Sequence, residues 1–461
     1  MDTAMAEENG RRNLAAPSVN VAADCGGAAI LAGCAGMQLA GRLASRMDLW
    51  VIALLVSKPL VDLTWSLRFG ELFHQEINVQ AIVAVLALCL TIAAAMQHGS
   101  RLQRDGVILG FLLWAAAAVL VTPTGWGANE LIRLYSGTAF YFIAARAFSS
   151  AERFRKFAQA FLLVMLVPVL LAYGQAAGIL PFSYWDWIEG ESLGRASGMY
   201  RTPLELVRLL IFAVPLALWL RDRSLRGSLP RHLATAFLLL SAPALAFTYH
   251  RVGWLVIALQ VLLWFLFTKR IRYAAAFLAC VMVCGAVFSH RVEQLWAPVQ
   301  SVLQGDMEVD SGNVLRGRGA NWIVFLHSWH SSNPALWFIG KGGSIAEGFV
   351  PGFGEFESNE AHNDFIRILH AYGLVGLSLY LWMLKRFWSK ALAARRCAAT
   401  VFGRDLGTIL LVVLVAVLVL SLTTEPMRYP TCVSYLFTLA ALVSGAALTT
   451  THVRDAGAVP A

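Results

Sequence analysis

Apolar runs of about 20 residues recur along this chain, and the loops between them alternate between rich and poor in Lys and Arg. Each run is long enough to cross a hydrocarbon core of about 30 Å. That core offers no water to exposed N–H and C=O groups, so spanning segments fold as helices or closed barrels, and runs of this length suit helices. Twelve spans are expected, at roughly 48–66, 77–97, 106–123, 129–147, 157–178, 203–220, 232–248, 252–268, 273–289, 363–384, 406–423 and 431–448. Composition agrees. Hydrophobic residues make up 58% of the 461 positions and charged residues 14%, with a mean hydropathy of +0.62, whereas a soluble chain is usually about one-quarter charged. The expected fold class is an all-α, polytopic integral membrane bundle.

Loop charge gives the orientation. One set of loops carries Arg101 and Arg104, then the 146–156, 221–231 and 269–272 groups, then Lys385 through Arg404. The opposite set carries few cations. The rich side is cytoplasmic by the positive-inside rule, which puts both termini in the cytoplasm. The net charge of +9 is mostly this topological signal and does not indicate nucleic-acid binding. The polar, acidic first nine residues do not form a cleaved signal peptide. Residues 1–47 are expected as a cytoplasmic lead-in, partly disordered or interfacial, and 449–461 as a cytoplasmic tail. Seven Cys lie in or beside spans or on the cytoplasmic side, so no disulfide framework or metal pattern is implied.

The outer loops concentrate the polar chemistry. The largest, 290–361, precedes the tenth span and is too long to be structureless. Within it Trp322, Phe325, Leu326 and Trp329 recur at helical spacing, which predicts an amphipathic helix on the outer face. Four outer arginines stand out: Arg201 before Pro203, Arg251 in a very short turn, and Arg316 and Arg318 ahead of the amphipathic helix. A lone Arg at a span end is ordinarily a snorkelling residue. Three separate Arg sites on the cation-poor side suit a pyrophosphate instead, because the guanidinium fork binds phosphate bidentately and stays charged. Lys58 is expected to pair with Asp62 four residues on, and Arg208 and Arg367 within spans require partners or a cavity.

His362 opens the tenth span in "SNEAHNDFIRILHAYGLVG". Ser358 or Asn359 is the expected helix cap there. The helix dipole favours a neutral imidazole able to act as a base, while Glu357, Glu360 and Asp364 pull the other way. The alternative is an interfacial His bonded to loop backbone. Gly373 and Gly376, on adjacent turns, let another element approach closely. His370, deeper in the span, is expected to be a packing or hydrogen-bonded residue.

The stretch from His362 to Gly376, His-Asn, then nine residues, then Gly-x-x-Gly, resembles the signature of the bacterial O-antigen ligase and polymerase superfamily. "RVGWL" at Arg251–Leu255 is similar to the Arg-x-x-x-Leu element of those ligases, and "RGANWIVFLHSWHSSNPALWFIGKGG" at Arg318–Gly343 is similar to their outer-loop stretch. The resemblance covers about residues 195–385. It implies a metal-independent membrane glycosyltransferase without a cofactor, acting at the periplasmic face. The donor would be a glycan on undecaprenyl pyrophosphate, and the acceptor hydroxyl that of lipid A–core, another lipid-linked glycan or a protein side chain. Carried onto this chain, His362 would be the general base, with Arg201, Arg251 and Arg318 on the donor pyrophosphate. Lys341 and Arg316 would be possible additions. Lys341 inside the "FIGKGGS" turn departs from the family pattern.

Two other classes fit the same spans. A transporter of lipid-linked sugars would place its polar site near the midplane between repeats, whereas here polar residues gather at one boundary and no repeat is evident. A non-enzymatic scaffold predicts no consequence for conservative replacement of the outer arginines.

Overall fold

The computed structural model describes residues 47–72, 75–98, 105–148, 150–188, 191–287, 318–350, 354–358 and 360–456. Residues 1–46 of the expected 1–47 lead-in, the last five residues of the expected tail, Arg316 and the alternative cap Asn359 lie outside them. The chain is mostly helical, and a helix stands in each of the twelve predicted segments: α1 (47–63), α2 (Val79–His98), α3 (Gly106–Val121), α4 (Gly125–Ala147), α5 (Ala151–Ala176), α6 (Pro203–Arg223), α7 (Leu229–Phe247), α8 (Arg251–Phe267), α9 (Ile271–Val287), α12 (Asp364–Cys397), α13 (Val401–Ser421) and α14 (Pro430–Ala456). Among the described residues five of these (α5, α6, α7, α12 and α13) are long and apolar enough to cross a membrane by length and composition, and five more are shorter apolar helices.

Two further helices, α10 (Arg318–His330) and α11 (Pro334–Ile339), lie in the large outer loop. The expected amphipathic helix is present, but its buried face differs from the predicted stripe. Val324, Phe325 and Ser328 point inward, while Leu326 faces out. Val324 and Phe325 meet Ala346, Ala361 and Ile366 in a small second core beside the main one.

The structure is not purely helical. Three antiparallel hairpins cap the loops: β1 (Arg68–Leu72) with β2 (Gln75–Asn78), β3 (Tyr184–Ile188) with β4 (Glu191–Arg195), and β5 (Ala346–Val350) with β6 (Gly354–Ser358). Strands of four or five residues are too short to leave a clear alternation in sequence.

Two helices centre the bundle. In α6 every residue from Leu206 to Leu220 is buried, including Arg208, as expected of a helix that is apolar all round. Most of α13 is buried as well. Outer helices keep leucines such as Leu113, Leu120 and Leu239 exposed, which suits a hydrocarbon surrounding. Some polar groups inside the bundle are partnered across helices. Asp62 accepts from Thr431 at 2.5 Å and Gln80 at 3.3 Å, so its hydrogen bonds run to other helices rather than to Lys58.

Candidate active site

The helix carrying the His362 element does not begin where the sequence suggests. Ser358 ends β6, and the N-cap of α12 is Asn363, whose Oδ1 accepts from Phe365 N (2.9 Å) and Ile366 N (3.2 Å). Asn363 Nδ2 in turn donates to the Leu422 carbonyl. His362 therefore sits just outside the helix, with a left-handed φ of 51°. A β-carbon makes that region costly, so the surroundings must hold it. They do so through Glu425, whose Oε1 accepts the His362 N–H at 2.9 Å.

Glu425 belongs to a buried ionic network that joins four parts of the chain. Arg367 on α12 donates to Glu130 on α4 at 2.7 Å and to Asp364 at 3.4 Å. Arg428, in the short turn Pro426–Arg428 between α13 and α14, lies 3.2 Å from Glu130, 3.3 Å from Glu425 and 3.3 Å from Glu360. Asp364 also accepts from Ser421 Oγ and Met427 N. Buried charges of this kind persist only when paired and hydrogen-bonded. Among these residues sequence reasoning had weighed only Arg367 as needing a partner. The signal for the others was faint, a Glu-Pro-Met-Arg turn after one span and a single acid at the start of another.

The His362 ring is part-buried, with Nδ1 3.8 Å from Glu360 Oε2. Burial lowers its pKa from the ordinary 6.5, Glu360 opposes that, and Arg318, Arg208 and Arg428 reinforce it. Arg318 and Arg208 act in the same direction on His250, whose pKa burial pushes down to about 3. Two arginines from distant segments thus reach both imidazoles. Arg318 stands at the start of α10, and Arg208 lies deep in α6 with its guanidinium 3.3 Å from the centroid of the Tyr429 ring. Arg208 Nε and Nη1 have no hydrogen-bond partner among the described residues. Arg208, which the sequence marked only as a costly span residue, joins this group.

Arg251 is the first residue of α8, directly after the N-cap His250, whose Nδ1 accepts from Gly253 N at 3.0 Å. That bond needs a neutral His250, which its lowered pKa ensures. Arg201 is exposed, and its N–H donates to Glu205, which lies within electrostatic reach of both Arg201 and Arg208. Its loop is fixed from below, because Gln175 Oε1 accepts from Ser197 N and Gly198 N, both at 2.9 Å. Glu205 thus links Arg201 to Arg208.

Lys341 is placed elsewhere. Its Nζ donates to Ser328 Oγ at 2.9 Å, and that hydroxyl is 3.3 Å from His370 Nε2, so Lys341 links α10 to α12. His370 is buried against Phe325, as expected of a packing residue. Gly373 departs from the helix altogether (φ 67°, ψ −170°), breaking α12 where two successive helical turns were expected. A β-carbon there would collide with the Phe338 carbonyl of α11. Gly376 lies against Trp114 of α3. These glycines seat the first segment of α12 against α11 and α3.

Residues 236–381 match the family model described as O-Antigen ligase. Over that stretch the chain is similar to the O-antigen ligase family. No curated protein matches it. The matched stretch holds Arg251, Arg318, Lys341, His362, Gly373 and Gly376. Arg201, Arg208, Glu130, Glu425 and Arg428 fall outside it, so the matched stretch is completed by α4, α6 and the α13–α14 turn.

Proposed function

We propose that this protein transfers a glycan from undecaprenyl pyrophosphate to an acceptor hydroxyl at the periplasmic face, as an O-antigen ligase joining O-antigen to lipid A–core. The observation that carries this is the part-buried His362, held in a strained conformation by Glu425 and within electrostatic reach of Arg318, Arg208 and Arg428. The chain crosses the inner membrane twelve times in this reading, with both termini in the cytoplasm. The neutral His362 ring takes the proton of the acceptor hydroxyl as its oxygen bonds to the anomeric carbon. The bond from that carbon to the phosphate oxygen breaks, and the electron pair leaves with the pyrophosphate. Arg318 and Arg208, with Arg251 and Arg201 at the rim, stabilise the departing charge. No metal is called on for that role.

The test is His362→Ala in a strain lacking its own enzyme, read on surface-polysaccharide gels. Loss of core-attached polymer with long polymer retained off the core supports ligation. Single repeats left on the core would make the enzyme a polymerase, and unchanged polysaccharide would overturn the assignment of His362.

A further inference from the structure

The end of the bundle opposite His362 carries chemistry that the transfer reaction does not use. It lies at the far end of α12, whose segment beyond the Gly373 break runs on to Cys397 for about 36 Å. There the ends of α6, α8, α12 and α13 line an open cleft of about 640 Å³. Its two acids are already neutralised. Asp405 accepts from Trp219 Nε1 (3.0 Å) and from Arg223 (2.6 and 2.7 Å), and Asp222 accepts from Trp264 Nε1 (3.0 Å) and Arg270 (2.6 Å). The remaining charges lining the cavity are Lys269, Arg395, Arg396 and Arg404, all positive.

A second cavity, of about 320 Å³, lies on the other side of the Arg270–Asp222 pair and shares both residues. Its other charges are Arg221, Arg226 and Arg231, again all positive. Scattered exposed cations would be no more than the topological signal. Two adjoining cavities with internally satisfied acids and surplus cations are a built anion site. Apolar side chains flank it, with Ile271 and Tyr273 largely exposed and Phe267 stacked under Arg395. That border suits a lipid headgroup more than a free solute.

We propose that this paired cavity binds an anionic phospholipid headgroup bearing two phosphates, one on each side of the Arg270–Asp222 bridge. The measurement is native mass spectrometry of the full-length protein in detergent, titrated with cardiolipin, phosphatidylglycerol and phosphatidylethanolamine. Cardiolipin is expected to bind most tightly. Lys269→Gln/Arg396→Gln in the larger cavity and Arg226→Gln/Arg231→Gln in the smaller are each expected to weaken it roughly thirtyfold. Lys385→Gln, at the same end but outside both cavities, should leave binding unchanged. Equal affinity for phosphatidylglycerol, equal weakening by Lys385→Gln, or displacement of the lipid by equimolar soluble pyrophosphate would each overturn the proposal.

Discussion

Glu425 accepts the backbone N–H of His362 at 2.9 Å across 63 residues of sequence, and that single bond spans the point where α12 begins. It fixes a residue whose left-handed φ would otherwise relax. Glu425 is itself buried between Arg367 and Arg428, so the imidazole's direction depends on an acid that need not touch substrate. Glu425→Ala is expected to lower kcat by about 100-fold with KM little changed, as misplacement of a reacting group by about 1 Å does. Transfer assays on purified protein with a lipid-linked donor separate the two parameters.

Burial raises the Glu425 carboxyl from its usual 4.5 to about 7, with Arg367 and Arg428 pulling back. The folded chain then binds more protons than the unfolded one between those values. Stability from this group falls as pH rises across that window. The Tm of the wild type minus that of Glu425→Gln should decrease from pH 4.5 to 7 and level off above, as thermal unfolding in detergent would record.

The His362 pKa is depressed, so its base form persists below the ordinary 6.5. The acid limb of kcat/KM should lie under that value. Because Glu360 raises this pKa, Glu360→Gln should move the limb to still lower pH. A pH–rate profile of both proteins provides the check.

Arg208 stacks on Tyr429 and keeps two buried donors without a hydrogen-bond partner among the described residues. A lysine keeps the charge but loses both the planar stack and the fork. Arg208→Lys is expected to lose at least about tenfold in kcat/KM for the donor. Wild-type donor kinetics in that variant would remove Arg208 from the site.

Gly373→Ala places a β-carbon at φ 67° and against the Phe338 carbonyl. A destabilisation of about 2 kcal/mol or more is expected. Gly110→Ala, with its nearest neighbour atom at 4.0 Å inside α3, should be close to neutral by the same unfolding measurement.

The helical segments were legible because each is a long apolar run, and the helix at Arg318–His330 because its aromatics recur at helical spacing. The cap of α12 was misplaced. Ser358 and Asn363 are both good caps, and only the β5–β6 hairpin shows that Ser358 ends a strand. Glu425 and Arg428 were illegible as site residues for a different reason. Their partners, His362 and Glu130, are chosen by helix packing, and no local pattern around "TTEPMRYP" encodes it. Arg208 was partly legible, since a cation within an apolar span is costly unless it is paired or faces a cavity.

The ionic network also imposes an order of assembly. Glu130 meets Arg367 only after another 237 residues have been made, roughly 10–50 s of synthesis. The His362 anchor waits for Glu425, which is made 63 residues after His362 itself. Until then the membrane holds an incomplete set of charges on α4 and α12. A chain stopped before Glu425 would hold the entire matched domain and still lack the acid that orients its histidine.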